Sequence, residues 1–247
     1  MAETFRANDW QSYRMDYRRP HEALEPADRE IAVVGEALAA LVAAGVLPHA
    51  RYEEAKFLAH RAAVRELFEI PWTAITPRMQ RLLYGINAAV QPANMVAAGV
   101  FCGNTFISNA GAGVGPGACY RSELLLGVEI DAERAALAER NVRRIDPTGV
   151  ARVVCDDAVN VARDLPGPID LLYLDADGTP DKGKGVYLDI LAACLDRLPR
   201  GAVVLAHNSV NCAARLARYL AFVRDAGNFA NSVNVVLDGE GLEVSVR

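Results

Sequence analysis

Two short apolar runs, each followed by residues typical of a ligand site, constrain this chain more than any other feature. The first run, residues 95–98, continues into a glycine-bounded turn at residues 99–103. The second run, residues 124–128, ends at the acidic Glu129. Unbroken apolar runs indicate parallel strands covered by helices on both faces. A glycine turn after one strand and a carboxylate after the next are typical of an α/β sheet that holds an adenosine-containing ligand at its carboxyl edge.

The chain after Asn94 alternates between strand-like and helix-like patterns, which predicts a mostly parallel sheet. The predicted strands lie at residues 95–99, 124–129, 151–154, 169–175 and 201–206. Two further apolar runs, at 233–237 and 242–246, flank a glycine-containing turn and predict a closing antiparallel hairpin. The predicted fold class is therefore α/β, with seven strands in the sheet.

The first 92 residues follow a different pattern. Residues 26–92 contain three amphipathic runs, and the last of these has Thr76 as a helix cap and Pro77 at the first helical position. We predict an N-terminal helical cap at 26–92 and a ligand-binding catalytic domain at 93–247. Residues 1–25 are polar and aromatic, and we expect either an arm packed on the body or on a second subunit, or a flap that covers substrate.

Composition narrows the expected partners. No segment has the roughly 20 consecutive apolar residues of a membrane span, and the N-terminus lacks the layout of a signal peptide, so we expect a cytoplasmic protein. The five cysteines form no CxxC pair and are expected to be free thiols. A net charge of −5 disfavours a non-specific nucleic-acid binder. We therefore expect a small-molecule substrate and neither nucleic acid nor membrane as a partner.

Polar residues at the predicted strand ends are the candidates for ligand contacts. Glu129 is placed either to accept both hydroxyls of a ribose or to be a solvated charge. Asp157 with Ala158 is placed either to meet an adenine amino group or to cap a helix. A glycine-rich stretch at 111–118 contains a GxGxxA pattern, but it lacks the strand before it and the helix after it that a dinucleotide site needs, so we expect a flexible loop there.

These motifs, in this order, resemble a class I S-adenosylmethionine-dependent methyltransferase, and more narrowly the catechol and caffeoyl-CoA O-methyltransferase-like family. The resemblance covers about residues 72–247. It rests on Ile75-Thr76-Pro77, the turn at 99–103, Val128-Glu129-Ile130-Asp131, Leu174-Asp175-Ala176-Asp177, Ala206-His207-Asn208 and the closing hairpin. It implies a Rossmann-like seven-stranded sheet, S-adenosyl-L-methionine as the cofactor and a homodimer. The predicted cofactor-binding residues are Gly99, Phe101, Gly103, Glu129, Ile130, Asp157, Ala158 and Asp175.

Departures from the family pattern change the expected chemistry. The family binds a divalent metal through an acid at the position of Asp175 and through an Asp-Asn pair, which here is His207-Asn208. Family members use a lysine near the acceptor, and Gly178 stands at that position here. They also have a glutamate two residues before the glycine turn, where this chain has Ala97. Because an oxygen ligand and the lysine are both lost, we predict catalysis without a metal. A metal site that includes histidine, or an ordinary magnesium site, remains an alternative.

The predicted catalytic residues follow from these departures. His207 is the candidate general base because an imidazole titrates near neutral pH, and Asp175 is placed to orient the ring and stabilise its cation. The alternative for a lone histidine is a satisfied, partly buried residue. Asn208 is expected to hydrogen-bond substrate or to fix a loop.

The N-terminal aromatic residues complete the prediction. Tyr13 and Tyr17, with Trp10, would share one face if this segment were helical, and their rings would cover a flat aromatic or heterocyclic acceptor. The predicted function is methylation of carbon, nitrogen or oxygen on a small, natural-product-type substrate of secondary metabolism. The alternatives are a magnesium-dependent catechol-type O-methyltransferase and a non-catalytic, cofactor-binding regulatory homologue.

Overall fold

The computed structural model describes residues 3–247, which fold into strands and helices that alternate through most of the chain. The strands and α-helices, in chain order, are β1 (Glu3–Arg6), α1 (Ala27–Ala43), α2 (Glu54–Leu67), α3 (Pro77–Val90), β2 (Asn94–Ala98), α4 (Asn104–Ala110), β3 (Leu124–Glu129), α5 (Ala132–Ile145), β4 (Ala151–Cys155), α6 (Ala158–Asp164), β5 (Leu171–Leu174), α7 (Val186–Cys194), β6 (Val203–His207), α8 (Ala217–Val223), β7 (Asn231–Val236) and β8 (Leu242–Val246).

All eight strands form one sheet, in the order β1-β7-β8-β6-β5-β2-β3-β4. Strand β8 runs antiparallel to both β6 and β7, while the other pairs are parallel. The predicted Rossmann-like α/β fold with a C-terminal antiparallel hairpin is therefore confirmed. The predicted number of seven strands was wrong, because β1 adds a parallel strand beside β7. With only four residues, mostly exposed, β1 carries none of the apolar periodicity that marks a buried strand.

Two apolar layers enclose the sheet and explain the unbroken apolar runs. Successive side chains of a strand point to opposite faces. Ala97 accordingly packs in the layer formed with α1, α3, α4 and α5, whereas Ala98 packs in the layer formed with α6, α7 and α8. Both faces of β2 are thus covered, as in other sheets whose strands are parallel.

Helix α3 begins as the sequence predicts and is almost wholly buried. The Thr76 hydroxyl accepts a hydrogen bond from the backbone N–H of Met79 at 3.3 Å, and Pro77 is the first helical residue. The cap thus accepts a hydrogen bond from one backbone N–H of the first turn, and Pro77 has no N–H that would need a partner. This start fixes where residues 72–76 pass over the carboxyl edge of the sheet.

The N-terminal segment is held by buried ion pairs. The Arg78 guanidinium, fully buried, lies 2.8 Å from Asp9 and 2.6 Å from Glu25, and its carbon lies 3.8 Å above the centre of the Tyr13 ring. Residues 7–26 form turns and extended stretches without a helix, so Trp10, Tyr13 and Tyr17 do not share a helical face. The conditional prediction of an aromatic stripe therefore does not apply to this segment.

The glycine-rich stretch at 111–118 is packed against α2. It follows helix α4, so it lacks the strand that a dinucleotide site requires. A Cβ on Gly117 would lie 2.6 Å from the Cβ of His60, and one on Gly111 would overlap the His60 ring. The glycines are therefore explained by close packing around a buried histidine, where we expected a flexible loop.

None of the helices in the described chain combines the length and the apolarity that crossing a membrane would take.

Candidate active site

A cavity of about 550 Å³ lies at the carboxyl ends of the central strands. The loops that follow β2, β3, β4, β5 and β6 contribute to its wall, together with the segment that precedes α3. A cavity of this size and position is typical of small-molecule sites in open parallel sheets. Most of the predicted site residues meet there.

The turn after β2 requires glycine for a reason that the sequence did not reveal. Gly99 has φ +80°, and a Cβ at this position would lie 2.5 Å from the backbone nitrogen of Ala176. Any side chain would collide with the segment that carries Asp175. Gly99 thus allows the loops after β2 and β5 to touch, while Gly103, with φ +88°, begins helix α4.

Glu129 presents a buried carboxylate to the cavity. Its Oε2 accepts a 2.8 Å hydrogen bond from the backbone N–H of Phe101, and its Oε1 accepts one of 3.2 Å from that of Asp131. These bonds fix the side chain but leave free lone pairs on both oxygens. Glu129 is therefore oriented to accept further hydrogen bonds from a ligand. The neighbouring Ile130, 66% exposed, provides an apolar surface at the rim.

Asp157 has the capping role that was one of its two predicted roles. Its Oδ1 accepts hydrogen bonds from the backbone N–H groups of Val159 at 2.7 Å and Asn160 at 3.3 Å, at the start of α6. Asp157 and Ala158 nevertheless both line the cavity. The cap holds this loop at the cavity wall, next to the loop that carries Glu129.

Asp175 is in contact with a lysine and a histidine. The Lys184 ammonium lies 2.9 Å from Oδ1, and Nδ1 of His207 lies 3.4 Å from the same oxygen. Burial alone would raise the pKa of Asp175, but Lys184 and then His207 hold that pKa below its ordinary value. Asp175 is therefore an anion at neutral pH.

His207 has one ring nitrogen committed and one free. The side chain is 2% exposed and lines the cavity, and Nε2 has no hydrogen-bond partner among residues 3–247. An unpaired buried polar atom costs about 1–3 kcal/mol, so this nitrogen is suited to pair with a bound molecule. Burial lowers the pKa of His207, but the Asp175 carboxylate more than offsets this and raises that pKa above 6.5.

Asn208 is bonded to the turn of the C-terminal hairpin. It adopts a left-handed backbone conformation with φ +65°, which asparagine tolerates better than most residues. Its Nδ2 donates a 2.7 Å hydrogen bond to Oε2 of Glu240 in the hairpin turn, and the Tyr17 hydroxyl donates to Oε1 of the same carboxylate. Asn208 thus lies at the cavity wall and also holds a loop.

The aromatic part of the cavity comes from residues that the sequence reasoning missed or used otherwise. Tyr13 is buried beneath Arg78, and Tyr17 lies on the hairpin turn; neither is part of the cavity wall. Instead Trp72, 47% exposed, has its ring 4.7 Å from that of Phe101, and both line the cavity. The proximity of Trp72 to the Thr76 helix start was the available signal.

Residues 96–209 match the family model described as a methyltransferase domain. The chain carries a methyltransferase domain. The matched segment runs from β2 through the residue after Asn208, so it includes Gly99, Glu129, Asp175 and His207. This match confirms the predicted class of enzyme. A search of the curated proteins gave no match.

Several solved structures share this fold. Cofactor-bound Rv0187 from MTB is 20% identical, with 78% of this chain and 90% of that chain covered and a TM-score of 0.60. The O-methyltransferase TomG from Streptomyces achromogenes is 18% identical, with 90% and 98% covered and a TM-score of 0.57. An O-methyltransferase from Bacillus cereus is 15% identical, with 96% and 98% covered and a TM-score of 0.57. At these identities the likeness is one of fold.

Proposed function

We propose that this methyltransferase uses S-adenosyl-L-methionine to methylate a small aromatic or heterocyclic acceptor, with His207 as general base and without a metal. The observation that carries the proposal is His207, a residue of the cavity wall whose buried Nε2 has no hydrogen-bond partner among residues 3–247, while its Nδ1 lies 3.4 Å from the Asp175 carboxylate. A base needs this arrangement, with one nitrogen available to substrate and the other oriented by an acid.

The cofactor half of the cavity is formed by the loops after β2, β3 and β4. Glu129 is placed to accept hydrogen bonds from ribose hydroxyls, and its buried carboxylate has free lone pairs for them. Ile130 offers an apolar surface for a flat base, and the loop of Asp157 and Ala158 lies on the same wall. TomG was crystallised in complex with SAM and the Bacillus cereus enzyme in complex with SAH, which supports the same cofactor here.

The protein's own part in catalysis is positioning and proton transfer. S-adenosyl-L-methionine, when bound, supplies a methyl group on a sulfonium, whose carbon–sulfur bond breaks with its electron pair going to sulfur. A neutral acceptor loses one proton as it gains the methyl group, and Nε2 of His207 is placed to take it. Asp175 stabilises the resulting imidazolium by charge. The cavity wall excludes water and aligns the acceptor.

An aromatic surface in the cavity wall supports a flat substrate. Trp72 and Phe101 form an aromatic surface at one side, and His207 lies at the carboxyl end of β6. An aromatic or heterocyclic ring would stack there at low entropic cost. The methylated atom, whether carbon, nitrogen or oxygen, depends on which atom reaches Nε2.

Three further parts of the proposal rest on the sequence alone. They are homodimerisation, a cytoplasmic location and the division of the chain into an arm (1–25), a helical cap (26–92) and a catalytic domain (93–247).

The test has a binding step and a turnover step. Calorimetry with S-adenosylhomocysteine should show binding to the wild-type chain and at least about tenfold weaker binding to Glu129→Ala, because that variant loses charge-assisted hydrogen bonds. Glu133→Ala, exposed on α5, is the matched control. Turnover across phenols, amines and indoles should then survive exhaustive EDTA.

Three results would contradict the proposal in different ways. Absence of cofactor binding would refute the methyl donor. Turnover restored only by added magnesium would refute catalysis without a metal. Cofactor binding without turnover on any acceptor class would favour the regulatory homologue.

A further inference from the structure

Lys184 lines the cavity, and the methyl transfer described above gives it no role. Its ammonium lies 2.9 Å from Oδ1 of Asp175 and 2.8 Å from the backbone carbonyl oxygen of the same residue. A weaker contact of 3.5 Å reaches Asp177. The Lys184 side chain is only 12% exposed, so the contact with Asp175 is a largely desolvated ion pair.

The loop after β5 is shaped to bring this lysine back to the strand end. The backbone N–H of Gly178 donates to the carbonyl of Gly183 at 3.0 Å, which closes a compact loop just before Lys184. A Cβ on Gly178 would lie 3.1 Å from that of Val186 and 3.2 Å from the Gly183 carbonyl oxygen. Glycine at 178 therefore lets the turn pack closely against this loop. The same loop packing therefore places glycine at 178, where the family has a lysine, and brings the ammonium of Lys184 to Asp175.

The charge of Lys184 is fixed by its surroundings. Its Nζ lies within hydrogen-bond distance of both the carboxylate and the carbonyl oxygen of Asp175, two acceptors that an ammonium satisfies as a donor. The amine is therefore an ammonium at neutral pH, which makes it unsuited to act as a base and suited to act as a cation. His207, on the same carboxylate oxygen, is left as the proton acceptor.

A divalent metal does not fit this site. Oδ1 of Asp175 already faces both Lys184 and His207. Within residues 3–247, no group of three or more His, Cys, Asp or Glu side chains is arranged to hold a metal ion. A dication next to Asp175 would also be repelled by the ammonium, strongly so because the pair is shielded from water.

We propose that the ammonium of Lys184 is the resident cation of the acceptor site, where it keeps divalent metal off Asp175 and stabilises the acceptor as it becomes anionic. This inference rests on the proposed function and names the class of acceptor: a molecule whose methylated oxygen or nitrogen carries a proton that His207 removes. Lys184 lines the same cavity as His207, so the two side chains would face one acceptor atom from two sides.

The experiment compares metal binding in the wild-type chain and four variants. Binding of Mn²⁺ at millimolar concentration is measured by electron paramagnetic resonance for wild type, Asp175→Asn, Lys184→Met and Lys184→Met/Asp175→Asn. Lys182→Met is the matched control, because Lys182 lies in the same loop but pairs with Asp189 at the surface. We expect no Asp175-dependent Mn²⁺ binding in wild type and Lys182→Met. In Lys184→Met, we expect turnover to fall about 10- to 100-fold while affinity for S-adenosylhomocysteine stays within a few-fold.

Each result has a defined meaning. Mn²⁺ binding to wild type that Asp175→Asn abolishes overturns the inference, as does a Lys184→Met variant with unchanged metal binding and turnover. A Mn²⁺ site gained in Lys184→Met and lost in the double variant supports it. If Lys184→Met also loses cofactor affinity, Lys184→Arg decides, because a retained cation must still exclude Mn²⁺ and preserve part of the turnover. The metal measurement uses neither cofactor nor acceptor, so its outcome is separate from failure of the proposed function.

Discussion

The hydroxyl of Tyr17 donates a 2.7 Å hydrogen bond to Glu240, which joins the N-terminal segment to the C-terminal hairpin turn. The other oxygen of Glu240 accepts from Asn208, at the cavity wall. The segment that the sequence suggested as a cover for substrate is thus connected to the site through one carboxylate. Tyr17 contacts Glu240, which in turn holds Asn208 at the cavity wall, and Tyr17 itself does not line the cavity.

Tyr17→Phe should lower the free energy of unfolding by about 0.5–1.5 kcal/mol, the usual net value of one hydrogen bond. Tyr13→Phe is the control, because the Tyr13 hydroxyl is buried with no hydrogen-bond partner in the described part of the chain. Removing that hydroxyl should be neutral or stabilising. Urea titration of both variants checks this pair of outcomes, and equal destabilisation would show that the Tyr17–Glu240 bond contributes nothing measurable.

His207→Gln should reduce turnover by about 10²–10⁴, the range expected for loss of a general base. Affinity for S-adenosylhomocysteine should remain within a few-fold, because the cofactor residues lie on the other loops. His49→Gln, whose side chain does not line the cavity, is the control. Steady-state kinetics with calorimetry on the same samples provides the comparison. A parallel loss of cofactor affinity would assign His207 a role in binding.

The pH dependence of turnover follows from the charges around His207. Burial lowers its pKa, but Asp175, Asp238 and Glu240 together more than offset this and hold the pKa above its ordinary value. Because the neutral imidazole is the base, turnover should rise with pH and level off only above that pKa. Asp175→Asn should move the rising limb to lower pH, and Lys184→Met should move it to higher pH. A limb that stays in place in Asp175→Asn would show that another group titrates.

His60 should make the folded state sensitive to acid. It is buried, and burial lowers its pKa to about 4. Unfolded chains bind a proton at this residue near pH 6.5, whereas the native state stays neutral until about pH 4, so stability falls as the pH decreases across that window. The full loss amounts to about 3 kcal/mol at about 1.4 kcal/mol for each pKa unit. Urea titrations at several pH values give the free energy of unfolding as a function of pH, and its slope should be smaller for His60→Gln than for wild type. An unchanged slope would show that His60 is not the source of the acid sensitivity.

The sheet and the cofactor half of the site could be anticipated because they depend on local patterns. Buried parallel strands require unbroken apolar runs, and the ends of neighbouring strands meet at one edge whatever the helices do. That rule places Gly99, Glu129, Asp175 and His207 on one cavity before any coordinates are known.

The rest could not be anticipated because it depends on how loops close. Lys184 reaches Asp175 only through the turn that Gly178 packs against, and no spacing rule links those positions. Trp72 approaches Phe101 because of where α3 begins. An aspartate can either cap a helix or contact a ligand, so the sequence alone left both roles open for Asp157. The stretch 111–118 contains the glycine pattern of a dinucleotide site, but its Gly111 and Gly117 make room for the His60 side chain.

The pairing of β1 with β7 has a consequence for the order of folding. Strand β1 lies at the edge of the sheet and pairs only with β7, and the other described strands and helices lie between them or beyond them in the chain. Strand β1 therefore cannot be added until Asn231–Val236 has been made and has joined the sheet. Contacts of such long sequence separation form slowly, because the closing of the loop costs entropy before the contacts stabilise it.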